Sequence, residues 1–98
     1  MSLSRRNPRR DATEPAIVDA LTACGFHVTR ISGAGVPDLL LSARGRQWLA
    51  EVKTPRGRAS AAQVKFALAW RGSLIVTLRS VDEAVDWARY VLSRVRTD

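Results

Sequence analysis

At 98 residues the chain suffices for one domain with a single core, and its 16 basic against 9 acidic residues give a net charge of +7, a field that attracts polyanions and above all nucleic acid. A membrane surface, the rival polyanion, is disfavoured: no long apolar span exists, the basic residues are not gathered on one amphipathic helix, and the start lacks the apolar segment of a secretory signal. The single cysteine, Cys24, excludes an intrachain disulfide and fits a reducing cytoplasm, and the single histidine, His27, argues against a zinc site or a histidine-based triad, so any metal is a hard, oxygen-liganded ion such as Mg²⁺ or Mn²⁺.

Residues 1–12 carry Arg5, Arg6, Arg9 and Arg10 around Pro8 with no apolar anchor, which predicts a flexible basic arm ahead of a single domain over 13–98. Two readings of the arm stay open, a phosphate-seeking tail and a solvated terminus. A helix is expected from about Pro15 to Cys24. Pro15 suits a first turn, Asp11, Thr13 and Glu14 offer acceptors near the start, and Ile17, Val18, Leu21 and Cys24 make the apolar stripe. Gly25 closes it, and Cys24 reads as a small core residue. Glu14 is favourable beside the helix dipole whatever else it does. Phe26–Ile31 alternates apolar and polar residues, the pattern of a strand with one wet face. Ser32–Gly35 is a Gly-rich connection; no P-loop Lys-Ser/Thr follows it, so it reads as backbone turning beside a site rather than as a phosphate cradle.

The stretch from Gly35 to Lys53 reads as two strands joined by a tight turn. Pro37-Asp38 opens the apolar run Leu39-Leu40-Leu41, Arg44-Gly45 is the turn signal, and Gln47–Lys53 forms the second strand. With Arg44 and Gly45 as the two loop residues, Ala43 faces Arg46, Leu40 faces Leu49 and Asp38 faces Glu51. Alternation then puts Lys53 on the same face as Glu51, with Ala50 and Val52 pointing the other way. A three-residue loop with a bulge at Gly45 is the competing register and would send Asp38 elsewhere. The first register alone keeps the charged residues together. Like charges set opposite each other are destabilising, and a cation between the two carboxylates removes that penalty. An ordinary exposed ladder of Glu51 and Lys53 is the plainer alternative.

After Lys53 comes Thr54–Arg58, a basic loop without apolar residues, next to the carboxylates and suited to phosphate contact through Arg56 and Arg58. Ser60–Gln63 has capping-box spacing and opens a helix to about Arg71, closed by Gly72, with Lys65 a further candidate phosphate contact. Leu74–Leu78 is a nearly unbroken apolar run suited to a strand covered on both faces. Ser80–Glu83 is a second capping box and starts a last helix to about Val95, with a wide stripe along Val81, Val85, Ala88, Leu92 and Val95. The predicted order is αβββαβα, an α/β sandwich around a short mixed sheet.

Pro37-Asp38 followed by Glu51-Val52-Lys53 resembles the signature of the PD-(D/E)XK nuclease superfamily. Gly33, Gly35, Pro37-Asp38-Leu39, Glu51-Val52-Lys53-Thr54-Pro55, Gly57 and Gln63 together resemble its VRR-NUC (virus-type replication-repair nuclease) family, over about Leu21 to Ala84. The resemblance implies a three-layer α-β-α restriction-endonuclease-like core and phosphodiester hydrolysis of DNA. It implies catalytic roles for Asp38, Glu51, Lys53 and Gln63, the last helping to hold the attacking water or the scissile phosphate. It also implies a functional glutamate on the first helix, for which Glu14 is the acid placed to match. Asp38, Glu51 and the Val52 carbonyl can supply three oxygens to Mg²⁺ or Mn²⁺. An ordinary lysine titrates near roughly 10.4, so Lys53 is cast as a fixed positive charge rather than a base. Small stand-alone members of the family look like dimeric junction-resolving enzymes, which suggests a homodimer acting on branched DNA in a bacterial or phage-infected cell. Trp70, Trp87 and Tyr90 are large groups for so small a core, and some of that surface is expected to close the dimer. The rival reading is a basic module of the same fold that grips nucleic acid without cutting it. A structural or toxin-like interaction protein is a third.

Overall fold

A computed structural model of the chain describes residues 8–95, with side chains from residue 13 onward. Among these, the elements run α1 (Pro8–Ala23), β1 (His27–Arg30), β2 (Leu39–Ala43), β3 (Arg46–Val52), α2 (Ala61–Ala69), β4 (Val76–Leu78) and α3 (Val81–Arg94). The order is αβββαβα, as the sequence predicts. The strands form one mixed sheet in the order β1-β2-β3-β4; the first three are antiparallel, and β4 lies parallel to β3 after the α2 crossover.

The β2–β3 hairpin sets the frame. Arg44 and Gly45 both have positive φ, 53° and 78°, the signature of a two-residue primed turn whose twist matches that of the strands. Ala43 pairs with Arg46, Leu40 with Leu49 and Leu39 with Ala50, so the bulged alternative is not adopted. Register follows burial: this pairing turns Leu39, Leu41, Ala50 and Val52 together onto one face, where all four are buried. Arg44 tolerates its left-handed backbone with its side chain engaged, Nη1 donating to the Leu92 carbonyl (2.7 Å) near the end of α3. The hairpin tip is thereby tied to the helix layer.

That layer is α1 and α3, which pack against each other and against the inner face. Ile17 and Leu21 of α1, Ala84 and Ala88 of α3, and Phe26 and Leu78 complete the buried core. Phe26, Trp48 and Trp87 interlock at its margin with ring centroids 5.3–5.9 Å apart. Trp87, one of three large groups of which some were expected to close a dimer, is thus packed within the chain. Cys24 is half-buried and packs on the same core. No described helix is long and apolar enough to cross a membrane.

Two expectations are corrected. The helix expected from about Pro15 begins at Pro8 and runs through Pro15 instead of starting there. Proline suits a first turn because its missing N–H has no helical partner there; here Pro8 stands in that position, and Pro15 forfeits one internal bond. Arg5 and Arg6 lie outside the described residues. The strand expected over Leu74–Leu78 and covered on both faces spans only Val76–Leu78, at the sheet edge, and Leu74 is 91% exposed. Its residues pair with β3 alone, so nothing covers the start of the run.

The outer face carries α2, and the connection between β1 and β2 is fitted closely to it. Gly35 has φ 76°, and a Cβ there would collide with the Ala62 carbonyl at the start of α2. Glycine is needed twice over, for its backbone and for the space. Gly35→Ala is expected to lower stability by about 1–3 kcal/mol, measured by urea unfolding. An unchanged midpoint would show that α2 does not rest on this loop.

Candidate functional site

One step beyond the last paired residues of the hairpin, Leu39 and Ala50, stand Asp38 and Glu51. Both are buried, at 6% and 8% exposure. Asp38 is fixed on two sides. Its backbone carbonyl accepts from the Ile31 N–H (2.9 Å), and its Oδ2 accepts from the Val52 N–H (2.8 Å). A carboxylate thus replaces the strand partner that β3 would otherwise have at Val52, which brings it against the Glu51–Val52 backbone. The Val52 side chain points inward to the core.

Glu51 points to the outer face, opposite to its neighbours Ala50 and Val52. Its Oε2 accepts from Gln63 Nε2 at 2.7 Å and lies 3.7 Å from Lys53 Nζ. Lys53 Nζ donates to Gln63 Oε1 (2.7 Å) and to the Arg58 carbonyl (3.0 Å). An ammonium has three hydrogens and no lone pair, and here three acceptors surround it. The backbone of Lys53 is equally fixed, its N–H donating to the Leu78 carbonyl at 3.0 Å.

Gln63 is the link. As the third residue of α2 it completes the capping box that the sequence predicts: its N–H donates to Ser60 Oγ (3.2 Å), and its Oε1 accepts from the Ser60 N–H (2.8 Å). The same Oε1 accepts from Lys53, and the amide nitrogen reaches Glu51. Two donors on one side and a carboxylate on the other fix the amide's orientation. The structural and the site contacts are therefore made at once by one side chain. Glu51, Lys53 and Gln63 line two adjoining clefts, of about 170 Å³ toward Phe66 and Arg79 and about 230 Å³ toward Gly57 and Arg58.

The other expected residues fall as follows. Glu14 stands on α1, in the helix layer, where Arg30 Nε of β1 donates to its Oε2 at 2.9 Å. Arg56 and Arg58 are exposed on the loop after β3, and Lys65 is exposed on α2. Arg9 and Arg10 fall in the first turns of α1. No group of three acidic, histidine or cysteine side chains forms a metal-type cluster among the described residues. The donor set at the hairpin end is two carboxylates and backbone oxygen, which suits a hard cation that keeps much of its water.

Sequence reasoning missed Arg79. It follows β4 directly, lines the smaller cleft, and its Nη1 donates to the carbonyls of Thr54 and Gly57, both at 2.8 Å. The only sequence signal is an arginine between an apolar strand and a helix cap; its partners lie more than twenty residues earlier. Comparison of the chain with known protein families, with curated proteins and with solved structures finds no match.

The double duty of Gln63 can be separated. Ser60→Ala removes only the cap and is expected to cost about 1 kcal/mol. Gln63→Ala also strips partners from Glu51 and Lys53 and is expected to cost about 1–3 kcal/mol more. Equal losses in urea unfolding would show that Gln63 serves the helix cap alone.

Proposed function

We propose that the chain is a divalent-metal-dependent DNA endonuclease resembling the VRR-NUC family, built on a three-layer restriction-endonuclease-like core. The observation that carries this reading is the Gln63 amide joining Glu51 to Lys53 beside Asp38. Three polar side chains, Glu51, Lys53 and Gln63, meet in one small patch lining two clefts, and Asp38 is bonded to the backbone N–H of Val52, the residue between Glu51 and Lys53. A ladder of surface charges needs no such bridge.

Asp38, Glu51 and the Val52 carbonyl would hold Mg²⁺ or Mn²⁺. Such an ion, when bound, stabilises charge on a phosphate and lowers the pKa of its water. Lys53 supplies fixed positive charge beside the scissile phosphate; two hydrogen bonds and an ion pair hold its ammonium in place, which suits an electrostatic role. Gln63 keeps Lys53 and Glu51 from collapsing onto each other. Arg56, Arg58 and Lys65 contribute phosphate contacts, which position the duplex without reading sequence. Branched DNA in a reducing cytoplasm is the substrate and setting that fit the family resemblance.

The reading includes a two-fold homodimer. Apart from Gln63 and Lys65, α2 is apolar around its circumference, yet none of its residues is buried. Leu68 is 75% exposed, and the bare Leu74 follows just beyond. A helix of that composition is ordinarily covered, and a symmetric second copy is the commonest cover for a small chain.

Purified protein is expected to cut branched or supercoiled DNA with Mg²⁺ or Mn²⁺ and not in EDTA. Asp38→Ala and Glu51→Ala should each abolish cutting with the circular-dichroism spectrum intact, and Lys53→Ala should lower kcat about 10²–10³-fold. Cutting in EDTA, or by either carboxylate variant, would overturn the reading; tight DNA binding without cutting would favour the non-catalytic module. Changing Leu68 and Leu74 together to glutamate is expected to convert a dimer to a monomer in sedimentation. A wild-type monomer at micromolar concentration would dispose of the dimer.

A further inference from the structure

We infer that Arg79 is a positioning residue for this site, holding the loop Thr54–Arg58 in place and through it the ammonium of Lys53. The inference rests on the nuclease reading for its kinetic consequences but not for its structural ones.

The contacts form a closed circuit. Arg79 Nη1 donates to the carbonyls of Thr54 (2.8 Å), Gly57 (2.8 Å) and Pro55 (3.4 Å). One nitrogen thus gathers both ends of a turn that has a single internal backbone bond, from the Gly57 N–H to the Thr54 carbonyl at 3.0 Å. The next residue along, Arg58, presents its carbonyl to Lys53 Nζ. Arg79 is itself anchored. Its N–H donates to Glu83 Oε1 at 2.8 Å, in the first turn of α3, and the preceding Leu78 carbonyl holds the Lys53 N–H. Lys53 is therefore fixed at its backbone by the residue before Arg79 and at its ammonium by the loop that Arg79 clamps.

The loop needs this clamp because its own sequence cannot hold it. Thr54–Arg58 has no apolar side chain except Pro55, and both arginines point to solvent. Backbone carbonyls turned inward without a donor would be costly, and a guanidinium is well suited to supply several hydrogen bonds from one fixed plane. Arg79 is half-buried and committed to protein carbonyls, which sets it apart from Arg56 and Arg58. Its Nη1 faces the loop carbonyls at the wall of the smaller cleft, and its effect on a substrate passes through the loop.

The test uses Arg79→Ala and Arg79→Lys in the full chain, with two readouts. In limited trypsin digestion, cleavage after Arg56 and Arg58 is expected to accelerate about tenfold in Arg79→Ala as the loop's hydrogen bonds are lost. Cleavage after Arg46, the first residue of β3 beside the hairpin turn, is the internal control and should hold steady. In steady-state DNA cleavage, Arg79→Ala is expected to lower kcat about a hundredfold through misplacement of Lys53 and to raise KM through the loose arginines. Arg79→Lys, whose ammonium also offers several donors, should regain part of both. A purely structural role would instead reduce kcat in proportion to the folded fraction, leave KM unchanged and raise cleavage after Arg46 equally. That pattern, or wild-type loop digestion in Arg79→Ala, would overturn the inference. Should the wild-type chain fail to cut DNA, the nuclease reading falls, and the trypsin readout decides the role of Arg79 by itself.

Discussion

The amide of Gln63 spans the gap between a buried carboxylate and an ammonium, and much of the outer face depends on that span. A Glu51–Lys53 pair left alone would close to hydrogen-bond distance. With the amide between them, Lys53 Nζ stays 3.7 Å from Glu51 Oε2, while each group has a hydrogen-bond partner in Gln63 at 2.7 Å. Burial makes this arrangement consequential, since unpaired charge at low exposure is expensive. It also explains why α2 stays where it is. That helix buries no residue of its own, so it is held by the polar bridge, the helix cap and the close fit of Gly35 against Ala62.

The two faces of the sheet divide the labour. The inner face is packed, with Leu39, Leu41, Ala50, Val52 and Leu78 against α1 and α3, and its register fixes the strands. The outer face carries polar side chains and thin cover. Glu51 and Thr77, paired across β3 and β4, stand on the outer face, while their neighbours Ala50, Val52 and Leu78 are buried in the core and Val76 packs against it. Rigidity from one side thus positions chemistry on the other, and a displacement of β3 large enough to move Glu51 would also have to open the core.

Much of this was legible in the sequence because it is local or periodic. Arg44-Gly45 announces a two-residue turn, and counting outward from it sets Asp38 beside Glu51 and leaves Lys53 on the same face. Ser60 and Gln63 announce a helix cap. What escaped is non-local. Nothing near Arg79 shows that its guanidinium reaches back to Thr54 and Gly57. Trp87 looked like spare surface because its partners Phe26 and Trp48 lie some forty to sixty residues away, in other elements. Leu74 read as strand because apolar runs carry no information on whether a neighbour covers them. Pro15 suggested a helix start by a rule that Pro8 satisfies equally well. The Gln63 bridge lay between: its capping role follows from spacing, and its contact with Lys53 and Glu51 follows only from where α2 is set down.

The central claim is that Asp38 and Glu51 together make a seat for a hard divalent cation. Mn²⁺ titration followed by electron paramagnetic resonance tests it without any substrate, comparing the wild-type chain with Asp38→Asn. The asparagine carbonyl can still accept from the Val52 N–H, so the fold is kept while the charge is removed. The account predicts a saturable Mn²⁺ site in the wild type that is lost in the variant. Weak, unsaturable binding that is the same in both proteins would contradict it.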